Sequence, residues 1–215
     1  MCGPTVFTHG SDDQKQRYLR PLFTTEEIWC QLFSEPSAGS DVAGLTSRAM
    51  KDGDEWIVNG QKVWTTLAHV ARWGCLVTRT DPEAPKHKGL SYFVVDMSDP
   101  GVEVRPLRQM TGDAEFNEVY FTDARIPDRE RLGDTGDGWR VALTTLMNER
   151  VAIGGTQAPR GSGAIGEAVE LWDSLDSHKK TASSRNQLMK LWSKAETARL
   201  TNIRAGENRV KGVPG

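Results

Sequence analysis

The chain has 215 residues, 37% apolar and 26% charged, with 27 basic side chains against 29 acidic ones. Near-balanced charge argues against a nucleic-acid or membrane-surface protein held by bulk electrostatics, and apolar runs as short as Tyr92-Phe93-Val94-Val95 cannot span a bilayer. Cys2, Cys30 and Cys75 are odd in number, far apart and without a C-x-x-C pair, so neither a disulfide frame nor a zinc site is expected; with no apolar signal region after Met1, the expected setting is cytoplasmic.

From Ser11 to about Thr24 the pattern predicts a short helix. Ser11 caps it, Asp12 and Asp13 put negative charge in the first turn where the helix dipole favours it, and Pro21 closes it. From about Ile28 to Asp128 the text turns strand-like. Trp56-Ile57-Val58 and Val63-Trp64-Thr65 flank Asn59-Gly60, a pair that tolerates positive φ and so predicts a tight hairpin turn. Short apolar runs follow at 75–78, 92–95, 102–104 and 119–121, each bounded by Gly, Pro or Asp. That spacing predicts a compact antiparallel barrel or sandwich rather than βαβ units.

At Gly138 the period changes. Trp139, Ala142, Leu143, Leu146, Met147 and Val151 fall on one helical face, with Asp137 as cap, until Gly154-Gly155 and Pro159 interrupt it. A second helix is predicted over 164–175, and a third carries Leu188, Leu191, Trp192, Ala195 and Ala198 on one side. The whole reads as α+β: a helix, a β region, then long helices in a separate layer.

Most candidate chemistry falls away on context. Gly161-Ser162-Gly163-Ala164-Ile165-Gly166 fits G-x-G-x-x-G, but no strand precedes it and Asn186 stands where an acid is needed, so a helix–helix turn is the better account. His9, His69, His87 and His178 never fall at metal-ligand spacing, and no G-x-S-x-G elbow occurs. The glycine-rich stretch 133–138 is either an anion cradle at a helix start or a capped turn. Two segments are more informative. In Gln31-Leu-Phe-Ser-Glu-Pro-Ser-Ala-Gly-Ser-Asp-Val-Ala-Gly44 a strand ends at Ser34, and Pro36 and Gly39 force an irregular turn rich in amides and hydroxyls, suited to the polar edge of a flat heterocycle. Some thirty residues on, Val63-Trp64-Thr65-Thr66 sets an aromatic face beside two hydroxyls at a strand end, core packing of Trp64 being the alternative.

Phe33-Ser-Glu-Pro-Ser-Ala-Gly-Ser-Asp-x-x-Gly44 resembles the signature of the FAD-dependent acyl-CoA dehydrogenase family. Asn59-Gly-Gln-Lys-Val-Trp-Thr-Thr66 is similar to its second flavin motif. Gly136-Asp-Gly-Trp-Arg-Val-Ala142 resembles the start of the first long helix of its C-terminal domain, and Arg199-Leu-Thr-Asn-Ile-Arg204 resembles a later helix of bacterial members. The resemblance covers essentially the whole chain in the right order. It departs from the family pattern at Leu32 and Phe33, larger than usual, and in lacking an Arg-x-x-Phe-Gly segment between Ser174 and Gln187.

The resemblance implies a chain truncated at both ends: residues 1–27 closing an N-terminal helical domain, 28–130 a middle antiparallel β-barrel domain, and 131–215 opening a C-terminal helix bundle. It implies α,β-dehydrogenation of an acyl-CoA, with a glutamate removing the α-proton and the β-hydrogen passing as hydride to FAD. Gln31, Phe33, Ser34, Ser40, Trp64, Thr65 and Thr66 would contact the flavin, and Ser40 and Arg150 the substrate. Glu149 would be the base, as in a minority of members; most place it later, beyond Gly215. Electrons would leave through an electron-transfer flavoprotein, and the full-length protein would be a homodimer or homotetramer. A related flavin oxidase or monooxygenase, or a non-catalytic truncated chain, stays open.

Overall fold

The computed structural model describes residues 1–154 and 159–211. The predicted place of Val151 on a helix face, the break at Gly155 and the Gly212–Gly215 end lie outside the described residues and side chains. The chain divides into two compact units, Met1–Asn148 and Glu149–Gly215.

The first unit opens with α1 (Cys2–His9) and α2 (Asp12–Phe23). The sequence shows no helical pattern at α1; the buried Val6 and a hydrogen bond between the Thr5 and Thr145 hydroxyls tie it to the core. The α2 helix starts as predicted, with a full capping box: the Gln14 amide donates to Ser11 Oγ at 3.2 Å, and the Ser11 amide to Gln14 Oε1 at 2.8 Å. Pro21 does not close it. The helix runs on to Phe23, and the Thr24 amide still reaches the Arg20 carbonyl at 3.0 Å. A proline in the last turn removes only one ladder bond, which packing offsets.

Eight strands follow: β1 (Trp29–Leu32), β2 (Arg48–Asp52), β3 (Glu55–Thr66), β4 (Trp73–Arg79), β5 (Leu90–Asp96), β6 (Val102–Leu107), β7 (Phe116–Pro127) and β8 (Arg131–Leu132). They pair in the order β6-β7-β3-β2-β4-β5-β8, with β1 parallel to β4. Most pairs are antiparallel, but β2 also meets β4 in parallel, and the path does not close into a barrel among the described residues. The expected order of a helix, a β region and then long helices is present; a closed barrel is not shown, and the sheet is mixed because β1 and β2 meet β4 in parallel. Its middle strands read as continuous apolar runs because both faces are covered. Cys75, Val77, Tyr92 and Val94 face one core cluster, which includes α1 and α2 residues; Leu76, Phe93 and Val95 face the other.

The Asn59-Gly60 hairpin is also overturned. β3 passes straight through this pair, matched to β2 on one side and to β7 on the other, and the β2–β3 turn lies at Gly53 instead, at φ 61°. Gly60 is needed for a different reason. A Cβ there would stand 2.7 Å from the Ser47 Cα, so the glycine lets two backbones approach. Asn59 meanwhile holds a bulge in β7, donating to Asp123 Oδ1 at 2.9 Å and accepting from the Asp123 amide at 3.0 Å.

The α3 helix (Gly138–Gly154) begins where the period changes. Asp137 precedes it, its carbonyl accepting from the Val141 amide at 3.2 Å and its carboxylate paired with Arg140. Val141, Ala142 and Thr145 are buried. In the second unit, α4 (Ala164–Ser174) packs on α5 (Ala182–Val210), a longer helix than its apolar pattern suggested. Gly161 and Gly163, at φ 72° and 70°, form the turn before α4, and among the described residues the element ahead of them is the helix α3 rather than a strand.

Candidate flavin-binding site

The two informative segments meet. β1 ends at Leu32, and the chain then runs alongside β3: the Val63 amide donates to the Ser34 carbonyl at 2.9 Å. One residue earlier, Lys62 Nζ donates to the Phe33 carbonyl at 3.1 Å and to Glu35 Oε1 at 2.8 Å. Glu35 and Ala38 exchange backbone hydrogen bonds of 3.0 Å each way, folding Pro36-Ser37 into a tight turn. The Glu35 carboxylate also accepts from the Thr46 amide at 2.6 Å, the Thr46 hydroxyl at 2.9 Å and the Ser47 amide at 3.0 Å. The loop after β1 is thereby pinned at its start to β3 and at its end to the head of β2.

Lys62 and Glu35 form a buried ion pair, their side chains 0% and 2% exposed. Burial would raise the Glu35 carboxyl, but the Lys62 charge and the hydrogen bonds from Lys62, Ser47 and Thr46 outweigh it and hold the group at about 2. Burial pulls the Lys62 ammonium down to about 8 against the opposing pull of Glu35. Both groups are therefore charged at neutral pH.

Beyond Lys62 the β3–β7 register shifts, and Trp64 takes up a left-handed φ of 61°. A bulky residue there is strained by about 1–3 kcal/mol and persists only where its surroundings over-determine it. Trp64 is 62% exposed, so the core-packing alternative fails; its ring meets Phe116 edge-on at 6.1 Å and otherwise faces outward. Thr66 is exposed and Thr65 is buried. The strand end is held from below by Asn117, whose Nδ2 donates to the Thr65 carbonyl at 2.9 Å.

Of the predicted cofactor residues, the structure brings Phe33, Ser34, Trp64, Thr65 and Thr66 together through the Lys62 and Val63 bonds. Gln31 is half-buried on β1, and Ser40 is exposed on the loop. The side chains of Ser34, Ser40, Trp64 and Thr66 make no hydrogen bond to another described residue, and Thr65 Oγ1 is buried and likewise unpartnered. This supply of open hydroxyls beside an outward indole fits a flat ring with a polar edge. Glu149, half-buried, and Arg150, exposed, lie at the start of the second unit.

Three supporting residues escaped sequence reasoning: Glu35, Lys62 and Asn117. Lys62 carried a signal. It stands in phase with the buried Trp56 and Val58 along β3, and a charge at a core-facing position demands a partner. A cavity of about 400 Å³ lined by Thr46, Arg48, Met50, Ile57, Asn59 and Gly60 lies elsewhere on β2 and β3 and contains none of the predicted residues.

Comparison with known proteins finds matches to both parts of the chain. Residues 30–124 match the family model for the acyl-CoA dehydrogenase middle domain, and residues 136–215 match that for its C-terminal domain. The chain is 45% identical over 213 residues to acyl-CoA dehydrogenase FadE34 of Mycobacterium tuberculosis, covering 98% of this chain and 29% of the relative. It is 38% identical over 224 residues to acyl-CoA dehydrogenase IpdE1 of the same organism, covering 100% of this chain and 56% of the relative. Among solved structures, the ChsE4–ChsE5 complex from M. tuberculosis superposes with a TM-score of 0.83 at 31% identity, covering 97% of this chain and 55% of that one. The chain thus spans from about a third to just over half the length of these relatives.

Proposed function

The chain belongs to the acyl-CoA dehydrogenase family, and on that premise we propose that it serves FAD-dependent α,β-dehydrogenation of an acyl-CoA thioester. One observation carries the reading: Lys62 and Val63 fasten the 33–35 loop to the strand that ends in an outward, left-handed Trp64 and the Thr66 hydroxyl. Two segments some thirty residues apart thereby share one surface with unspent hydrogen-bonding groups, the arrangement a flavin ring needs. Bound there, FAD would supply the acceptor for the hydrogen that leaves the β-carbon as hydride.

The chain's own residues would then act as follows. The Trp64 indole covers the ring and excludes water from it, while the Thr66 hydroxyl and the backbone at Phe33 and Ser34 hydrogen-bond its polar edge. Ser40 reaches the bound molecules from the loop. Glu149 takes the α-proton, and Arg150 holds the negatively charged substrate beside it. An electron-transfer flavoprotein is the proposed acceptor of the electrons. Association with a second acyl-CoA dehydrogenase chain, identical or not, is the proposed assembly; the ChsE4–ChsE5 structure is itself a complex. No described helix is long and apolar enough to cross a membrane. Three free, buried thiols suit a cytoplasmic setting, which is part of the same proposal.

The test is spectroscopic. The purified chain mixed with FAD should hold flavin through gel filtration, and anaerobic addition of an acyl-CoA should bleach the oxidised flavin band. Glu149→Gln should keep the flavin but slow bleaching by about 100-fold or more, the usual worth of a positioned base. A chain that never retains flavin would overturn the reading, and bleaching at the wild-type rate in the variant would remove Glu149 from the role of base.

A further inference from the structure

Lys62 is the most deeply buried charge in the first unit, at 0% exposure, and its ammonium hydrogen-bonds to Phe33 and Glu35 rather than to the open hydroxyls beside Trp64. Its place in the fold is nevertheless singular. It is the last β3 residue paired with β7 before the register shift that precedes Trp64, matched to Val119. Its ammonium reaches out of β3 to the Phe33 carbonyl and to Glu35, and Glu35 in turn gathers Thr46 and Ser47. The loop from residue 33 to residue 47 and the irregular strand end thus converge on one cation.

We propose that Lys62 is the positioning residue of the flavin loop: bonded at once to the Phe33 carbonyl and the Glu35 carboxylate, it fixes the backbone of residues 33–35 against β3 and so sets the affinity for FAD without touching the cofactor. This rests on the FAD-binding reading above.

Stability alone does not explain the pair. Well-packed apolar residues of similar volume commonly replace a buried ion pair with no loss, whereas removing one partner strands the other charge. What an apolar pair does not reproduce is the hydrogen bond to the Phe33 carbonyl or the carboxylate that collects the Thr46 and Ser47 amides. Ordering of the loop is therefore the separable contribution of Lys62. A ring bound by backbone groups and short hydroxyls depends on that ordering, because displacement of such donors by about 1 Å is costly.

The experiment compares the wild-type chain with Lys62→Met and with the double variant Lys62→Met/Glu35→Leu. The single variant leaves Glu35 unpaired and serves only where it folds; the double variant removes both charges and keeps the volume. Hydrogen exchange in the FAD-free chain should rise about tenfold or more across residues 33–47 in the double variant, with β4 and β5 unchanged. FAD affinity, read by flavin fluorescence, should fall by about tenfold or more, as expected for lost charge-assisted hydrogen bonds, while the melting temperature stays near that of the wild type. Wild-type loop exchange and wild-type FAD affinity in the folded double variant would overturn the proposal. Failure of the wild-type chain itself to take up FAD would instead sink the functional reading, and the loop-exchange comparison, made without FAD, would still decide whether Lys62 orders the loop.

Discussion

The Asn117 side-chain amide donates to the Thr65 carbonyl at 2.9 Å, both residues buried, and so anchors the strand end that carries Trp64 and Thr66. The same Nδ2 also donates to the Glu115 carbonyl at 3.2 Å and lies 3.2 Å from His69 Nδ1, so it serves two carbonyl oxygens at once. Asn117→Ala should cost about 1–3 kcal/mol, the penalty for leaving a buried carbonyl unpaired. Asn117→Asp should cost more at neutral pH, because a carboxylate would then face two carbonyl oxygens, and should recover in acid as it protonates. Urea denaturation of both variants at two pH values checks this. Equal losses for Ala and Asp at neutral pH would show that the amide donor does not hold the strand end.

The Glu35 carboxyl gives the fold a defined acid limb. Its folded pKa of about 2 lies below the unfolded value of 4.5, so its contribution is fully present above 4.5 and is lost as pH falls towards 2. A shift of that size corresponds to about 3 kcal/mol. Stepwise denaturation between pH 5 and pH 2 should show the wild type losing about that much more than Lys62→Met/Glu35→Leu, which has no carboxylate to titrate there. Parallel acid limbs would assign the loss to other groups.

What could be read in advance was local or strongly periodic. Ser11 announced α2 because a capping box lies within four residues. The β4 and β5 strands were plain because both faces are buried, leaving unbroken apolar runs. α1 could not be read, since Gly3 and Pro4 are poor helix residues and distant contacts through Thr5 and Val6 supply the support. Asn59-Gly60 misled because turn preference is local. A twelve-residue strand paired on both sides overrides it, and the glycine answers instead to Ser47. The Glu35–Lys62 pair was half-visible: the phase of Lys62 along β3 called for a partner, but no local rule names one 27 residues away.

That reassignment of Gly60 is itself testable. Alanine at Gly60 would place its Cβ 2.3 Å from Ser47 Oγ and 2.7 Å from the Ser47 Cα, at φ 149°. Backbone cannot yield there as a side chain could, so Gly60→Ala should cost about 2 kcal/mol or more. Gly53, in the true β2–β3 turn at φ 61°, has open space around it, and Gly53→Ala should cost only about 1 kcal/mol of left-handed strain. Thermal denaturation ranks the two. A Gly60→Ala penalty no larger than that of Gly53→Ala would mean that close approach to Ser47 is not what requires the glycine.

Trp64 separates stability from function most sharply. Its left-handed φ of 61° is unfavourable for a bulky side chain, and at 62% exposure the indole contributes little burial in return. Asparagine tolerates that conformation far better. Trp64→Asn should therefore leave the FAD-free chain as stable as the wild type, or more stable by up to about 1 kcal/mol, because strain is relieved and little packing is lost. The same change removes the aromatic face proposed to cover the flavin, so FAD should dissociate faster and its fluorescence should be less quenched on binding. Denaturation of the FAD-free protein and flavin release measured side by side decide the matter. A large stability loss would place Trp64 in the structural core after all, and unchanged flavin release would remove it from the site.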